Sequence, residues 1–369
     1  MRQRIAIEGI GVVGGFGCGV ADLKGTLYGK KTVFPHKIAQ TPEGGADVAA
    51  YLVADTSRLK DFVSSRATRR MDHFSRMALL AASLALEDAG RSDLSGERVG
   101  LVVATGYGAS RSTFAFLDSV IDDGDACASP TLFSNSVHNA AGGYLSILLK
   151  AEGPALTVSQ FEMSVPAALL SAGLWLAEGR VDRVLFGGVD EYCDVLGYCW
   201  RRSFGAQAGG AMKPLELERQ TAVAGEGAAF FLLTREERIA PRYGIIANVQ
   251  VGNSRSAEVQ FSDDVMLILG ADGHRKCCSR YAQYLAADRT FACYTPLYGS
   301  LPVGQAFDMA VAALSIQENR IFAPLDCRVE EGGAFAGVVR DDQTLGSKEI
   351  GCLKLGDAGE FSIVTLARE

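Results

Sequence analysis

The sequence predicts an α/β protein whose sheet is covered by helices, and three observations predict it. Short apolar strands alternate with apolar helices along most of the 369 residues, the pattern of a mostly parallel sheet with both faces buried. The alternation starts twice, near residue 4 and near residue 245, which reads as two similar halves, residues 1–240 and 241–369, without a sequence repeat of fixed period. Glycine is frequent (42) and proline scarce (10), which suits tight strand–helix turns and close backbone packing.

Arg4 to Gly14 reads as a strand running into glycines. Gly9, Gly11, Gly14 and Gly15 imitate a dinucleotide fingerprint, but the acidic residue about 20 positions on is missing, so they read as strand-end glycines. Residues 20–65, with Pro35, Pro42 and Gly44-Gly45, read as an irregular surface excursion. Phe74, Met77, Leu80 and Leu84 recur at helical spacing with Ala78, Ala81, Ala82 and Ala85 between them. Asp72 is the expected N-cap and Gly90 follows the end. Val99 to Ala104 is a buried strand ending in Thr105-Gly106-Tyr107-Gly108, and Phe114, Leu117 and Ile121 fall on one face of the helix that follows.

Thr157 to Ser159 (strand), Val165 to Gly179 (helix), Arg183 to Gly188 (strand) and Ala228 to Leu233 (strand) come next. Charged residues 235–242, with Pro241, are the candidate linker. The second series runs through strands Ile245–Val251 and Val265–Leu269, helix Cys278–Ala287 and strand Phe291–Tyr294. Helix Gln305–Gln317 has Ala306, Met309, Ala310, Ala313 and Leu314 on one face, and strands at Leu353 and Phe361–Leu366 follow.

The net charge of −7 and the lack of a basic face argue against a nucleic-acid partner. No apolar run reaches the roughly 18 residues of a membrane span. Nine cysteines, an odd number without matched C-x-x-C pairs, follow Met1-Arg-Gln-Arg4, which runs straight into a strand-like segment, so no secretory leader is expected. Free buried thiols in a reducing cytoplasm are expected. No cofactor or metal motif stands out.

Five segments in order resemble the β-ketoacyl synthase branch of the thiolase fold. They are Arg69-Arg70-Met71-Asp72 with its Ala-rich helix, Phe133 to Ser146, Gly153-Pro154 before a short strand, Phe186 to Glu191, and Gly225-Glu226-Gly227-Ala228. The C-terminal third matches less well and is shorter than is usual in the family. The resemblance implies two βα halves packed as a five-layered αβαβα sandwich. It also implies a cysteine at the N-terminus of a buried helix, where the dipole and backbone N–H groups favour a thiolate and form an oxyanion hole. Two histidines would stabilise the enolate left by malonyl decarboxylation.

Here the family's positions fall on other residues. Counting from Gly153-Pro154 puts Glu162 at the cysteine; Asp272 and Leu301 fall at the two histidines and Pro296 at the usual lysine. His274, two residues from the first histidine position, reads as a surface residue, and Gly356 to Phe361 departs from the family's gating turn. The resemblance therefore implies a non-catalytic chain-length-factor subunit, most like those of aryl polyene and other highly reducing type II systems. Its expected partner is an active ketosynthase subunit, and acyl carrier protein would dock mainly through that partner. Phe114, Leu117 and Ile121 are candidates for the tunnel floor, with ordinary core packing the competing reading. Phe133, Asn135, His138 and Phe161 are candidates for the dimer seam, although the polar residues of 131–139 would equally cap the next helix. One alternative is an enzyme using Glu162, such as a malonyl-carrier-protein decarboxylase; an ionised carboxylate there cannot donate a proton and repels malonate. Another is a carrier-protein docking scaffold using Arg66, Arg69, Arg70, Arg201 and Arg202.

Overall fold

The computed structural model describes residues 2–38, 48–53, 55–204, 212–285, 289–325 and 335–368; Pro42, Gly44-Gly45, Ala286-Ala287 and Cys327 lie outside them. The strands are β1 (Arg2–Gly14), β2 (Gly17–Cys18), β3 (His36–Ile38), β4 (Val48–Tyr51), β5 (Val99–Thr105), β6 (Ala155–Ser159), β7 (Arg183–Asp190), β8 (Ala224–Gly225), β9 (Gly227–Arg235), β10 (Ile245–Asn253), β11 (Met266–Leu269), β12 (Phe291–Ala292), β13 (Arg320–Ile321), β14 (Gln343–Thr344), β15 (Glu349–Leu355) and β16 (Glu360–Ala367). The helices are α1 (Val20–Leu27), α2 (Ser65–Thr68), α3 (His73–Asp88), α4 (Ser110–Asp123), α5 (Pro130–Ser136), α6 (Ala140–Leu148), α7 (Ser164–Ala177), α8 (Asp194–Phe204), α9 (Arg275–Tyr281) and α10 (Gly304–Glu318).

One eleven-stranded sheet runs β12-β11-β15-β16-β10-β1-β9-β7-β5-β6, with β2 paired to β1. Among the main strands before and after residue 240, the order from each edge inwards is the same: third, second, fourth, fifth, first. The two series meet where β1 pairs antiparallel with β10, Ile5 opposite Ile246. The sheet is mixed, which corrects the expected mostly parallel one. β5 is parallel to β6 and β7, and β11 to β12 and β15, but β1, β9, β10 and β16 pair antiparallel with their neighbours. For β15 and β16 the cause is local: only residues 356–359 join them, too few for a parallel crossover.

Three apolar clusters divide the molecule into layers. On one outer face α3 and α6 pack over β1, β5, β7 and β9. The middle layer holds α7 and α10 between the two flanks of the sheet. Cys278 and Tyr281 of α9 cover Leu267, Phe291 and Leu353 on the other face. Helix α10 is buried continuously from Gly304 to Ile316, so its apolar residues do not form the single face expected of a surface helix.

Helix α3 begins as read from the sequence: Asp72 caps it, its carboxylate accepting the Ser75 N–H at 3.0 Å. Its alanines explain Gly9 and Gly11, which sit within β1, whereas Gly14 and Gly15 lie at its end as expected. A Cβ on Gly11 would lie 1.9 Å from the Ala81 carbonyl oxygen, and one on Gly9 2.3 Å from that of Ala85. The strand and helix backbones touch there, and no side chain fits between them.

Several expectations are corrected. Residues 20–27 form α1, with β3 and β4 after it, and not an irregular excursion. The charged stretch 235–242 is pinned down: Arg4 pairs with Glu236, Arg238 with Asp182 at 2.8 Å and Arg242 with Asp88 at 3.3 Å. The helix expected over 278–287 begins earlier, at Arg275, and tightens into a turn over Ala282–Tyr284. The strand expected over 291–294 stops at Ala292. Among the described residues, Cys127 and Cys199 are exposed and Cys18 half-buried, while Cys193, Cys277, Cys278, Cys293 and Cys352 are buried free thiols.

Candidate functional site

Strand β6 leads into a tight turn, Phe161–Met163, and then into α7. Glu162 is half-buried at its centre. Phe161 has φ +48°, a left-handed conformation rare for a bulky side chain and costing about 1–3 kcal/mol. Ser164 compensates: its Oγ lies 2.7 Å from Phe161 O and 2.9 Å from Thr105 O, and it accepts the Gln160 N–H at 2.7 Å. Ser164 thus holds the strained turn together around the Glu162 carboxylate.

The groups facing Glu162 come from both series of elements. Lys354 on β15, Cys277 on α9 and Tyr107 each lie within reach of its charge. Lys354 is buried, and its ammonium donates to Asp272 Oδ2 at 3.2 Å and to Gly270 O at 3.3 Å. Asp272 also accepts the Ser300 hydroxyl at 2.7 Å and the His274 backbone N–H at 3.3 Å. Burial opposes the Asp272 charge, but Lys354, His274 and Ser300 together hold its carboxyl down at about 2. Lys354 is raised for the reciprocal reason, with Glu162 contributing after Asp272. Burial pushes the Cys277 thiol up to about 12, so it is no substitute thiolate.

Leu301 is buried in the central apolar cluster and offers no donor. His274 is half-buried against Trp200, ring centroids 5.0 Å apart, which corrects its reading as a surface residue. The Trp200 indole donates to the Tyr107 hydroxyl, and the Tyr107 ring meets Phe161 edge-on at 5.9 Å. A cleft of about 910 Å³ opens beside His274 and is bordered by Arg275, Lys276, Ser279 and Gln220.

Two more buried carboxylates frame the site, and the sequence reading missed them together with Lys354. Asp190 accepts from Thr105 Oγ1 (2.7 Å), Gly106 N (2.9 Å), Tyr107 N (2.9 Å) and Val303 N (3.3 Å), tying the turn after β5 to the start of α10. Burial pushes its carboxyl up to about 6. Asp308 of α10 accepts the Tyr298 hydroxyl at 2.7 Å, and its Oδ2 has no hydrogen-bond partner. The available signal was a charged residue breaking an apolar run, as Lys354 does in Ile350 to Leu355.

Burial pushes the Asp308 carboxyl up to about 7, above its unfolded value. The native state therefore holds an extra proton between about pH 4 and 7, and stability falls as pH rises through that window. Asp308→Asn cannot ionise. Relative to wild type it should gain on the order of 3 kcal/mol between pH 4 and 8. Denaturant unfolding of both proteins across that range checks this; parallel pH curves would refute it.

Most of the apolar residues proposed for the tunnel floor and the seam are exposed. Leu117 (44% exposed), Ile121 (78%), Phe133 (56%) and Phe161 (57%) are open to solvent, and Phe114 is half-buried. No apolar residue of α4 is buried, so core packing is not the role of Phe114, Leu117 or Ile121. Among the described residues, strand β6 ends the sheet and no strand pairs with its outer edge. His138 is exposed, its ring against Gly108. Asn135 differs: it is buried, donates to Arg70 O at 2.8 Å and accepts from the Tyr144 hydroxyl at 3.0 Å, which staples α5 to the segment before α3. Asn139, at the N-terminus of α6, makes no side-chain capping bond.

Residues 2–238 match the family model described as Beta-ketoacyl synthase, N-terminal domain. Nodulation protein E of Rhizobium sp. (strain N33) is 28% identical over 268 residues, 70% of this chain and 64% of its own. The 3-oxoacyl-[acyl-carrier-protein] synthase 2 of Vibrio cholerae is 25% identical over 210 residues, 54% of this chain and 50% of its own. The chain thus spans about half to two-thirds of the length of these curated relatives. Among solved structures, the ishigamide ketosynthase/chain length factor superposes with TM-score 0.83 at 19% identity, covering 100% of both chains. At that identity the likeness establishes the fold, which is thiolase-like.

Proposed function

The chain belongs to the β-ketoacyl synthase family, and within it we propose a non-catalytic chain-length-factor subunit that pairs with an active ketosynthase and walls part of its acyl tunnel. The observation that carries this reading is the occupied state of the family's three catalytic positions. Glu162 replaces the thiolate in an intact strained turn, Asp272 is locked into a buried ion pair with Lys354, and Leu301 is core. A thiolate and two hydrogen-bond donors are what condensation requires, and none stands there.

A second observation supports the partner. Leu117, Ile121, Phe133 and Phe161 are exposed, and no described strand pairs with the outer edge of β6, the kind of surface a soluble monomer seldom leaves open. The reading places the chain in the cytoplasm, in an aryl polyene or similarly reducing type II system, with residues 1–240 and 241–369 as its two halves. It gives the carrier protein a secondary contact at Arg66, Arg69 and Arg70, which are exposed and make no side-chain ion pair among the described residues.

The test is co-expression with a ketosynthase from the same source, followed by assay with malonyl carrier protein. A 1:1 complex is expected, with Glu162→Gln condensing and decarboxylating at the wild-type rate. Malonyl decarboxylation by the chain alone, lost in Glu162→Gln, would replace this reading with an enzyme acting through Glu162.

A further inference from the structure

Helix α4 is an unusual helix for its length. Of its 14 residues only Ser112 is fully buried; its apolar side chains, such as Phe116 against Phe133 of α5, pack without being enclosed. Its N-cap position, Ala109, gives no side-chain bond. What holds it is a polar clamp on the first turn. Glu191, fully buried, accepts the Arg111 backbone N–H at 2.8 Å. The Arg111 guanidinium donates to Tyr192 O at 2.6 Å and to Glu226 Oε2 at 3.2 Å. Ser112 donates to Asp72 at 3.2 Å, the same carboxylate that caps α3. Thr113 Oγ1 lies 3.1 Å from Ser136 O on α5.

The clamp is itself rigidly based. Glu226 accepts the backbone N–H groups of Val53 and Tyr192, each at 3.0 Å, and lies 3.0 Å from the His73 ring. Although burial opposes its charge, His73 and Arg111 keep its carboxyl low. Burial pushes the Glu191 carboxyl up to about 8, and its Oε2, 3.9 Å from Arg111 Nε, has no hydrogen-bond partner. Four segments distant in sequence, at Asp72, at Glu191-Tyr192, at Glu226 and at Ser136, thus converge on three residues of α4.

We infer that Arg111, seated on Glu226 and beside Glu191, is the positioning residue that fixes the place of α4 and with it the depth at which Phe114, Leu117 and Ile121 meet the partner's acyl tunnel. The inference rests on the chain-length-factor reading. Its mechanical part follows from the bonds alone: a helix held at one end by polar contacts shifts when those contacts go, whereas a helix seated in a core does not. Arg111 does not touch the acyl chain; it acts through the three apolar residues C-terminal to it.

The test uses Arg111→Met and Arg111→Lys, each in the full chain, alone and co-expressed with the ketosynthase. In the isolated chain, Arg111→Met should speed amide hydrogen exchange across 110–123 by about ten-fold or more, while α3 and β5 keep wild-type protection. Arg111→Lys, which retains a cation for Glu226, should fall between. In the complex, Arg111→Met should broaden the distribution of product lengths, with Arg111→Lys partly restoring it. Unchanged exchange across α4 in Arg111→Met would overturn the clamp. If exchange accelerates and lengths stay fixed while Phe114→Trp shortens the product, Arg111 does not set the depth and the inference fails. If neither Arg111→Met nor Phe114→Trp alters length, the tunnel role of α4 itself is refuted.

Discussion

Phe133→Asp should abolish assembly with the proposed ketosynthase partner while leaving the isolated chain folded. Phe133 packs on Phe116, ring centroids 5.4 Å apart, where α4 meets α5, and more than half of it is open. Folding gains little from such a side chain, so substituting it costs the monomer little. In an obligate complex, which typically buries more than about 2,000 Å², the same position becomes the centre of an apolar seam. A carboxylate buried there without a partner costs several kcal/mol, which at about 1.4 kcal/mol per decade weakens binding at least about 100-fold. Phe34→Asp supplies the control: Phe34 is as exposed, but it lies on the loop after α1, away from α4, α5 and β6. Size-exclusion chromatography and co-purification read the result. A Phe133→Asp chain that still elutes with the ketosynthase would remove this face from the interface.

How far the fold was legible follows from which residues declare themselves locally. Helix α3 did so because one residue caps it, an apolar period runs through it and Gly90 ends it with φ +72°. Helix α1 did not: it follows Gly19 without a side-chain cap and contains Gly25, which weakens any helical reading of Val20 to Leu27. Strand direction is not written in hydrophobic period, so the antiparallel centre of the sheet was missed, although the four residues between β15 and β16 announced a hairpin. At the site, spacing from neighbouring motifs only proposed positions for Glu162, Asp272 and Leu301. What each does could not be read from spacing, because the answer lies in partners distant in sequence. Lys354 is 82 residues from Asp272, and Glu226 is 115 from Arg111. The apolar residues of α4 illustrate the same point: their spacing revealed a face, but only the structure showed that none of them is fully buried among the described residues.

Lys354→Met should be the most destabilising of the single changes considered. The ammonium sits 3.2 Å from Asp272 Oδ2, with 4% of the Lys354 side chain and 10% of the Asp272 side chain exposed. Removing it strands a carboxylate with only the Ser300 hydroxyl and one backbone N–H, and an unpaired buried charge of this kind costs about 3–5 kcal/mol. The pH dependence identifies the cause. In wild type Asp272 is held at about 2, below its unfolded value, so it contributes stability above about pH 4 that is lost as pH falls toward 2. Without Lys354, burial dominates and raises the same carboxyl, so the variant instead loses stability as pH rises above about 4. The gap between wild type and Lys354→Met should therefore widen from pH 4 to 8. The double variant Lys354→Met/Asp272→Asn, which removes both charges, should recover a large part of the loss. Equal losses in the single and double variants would mean that the pair is not what holds this part of the fold.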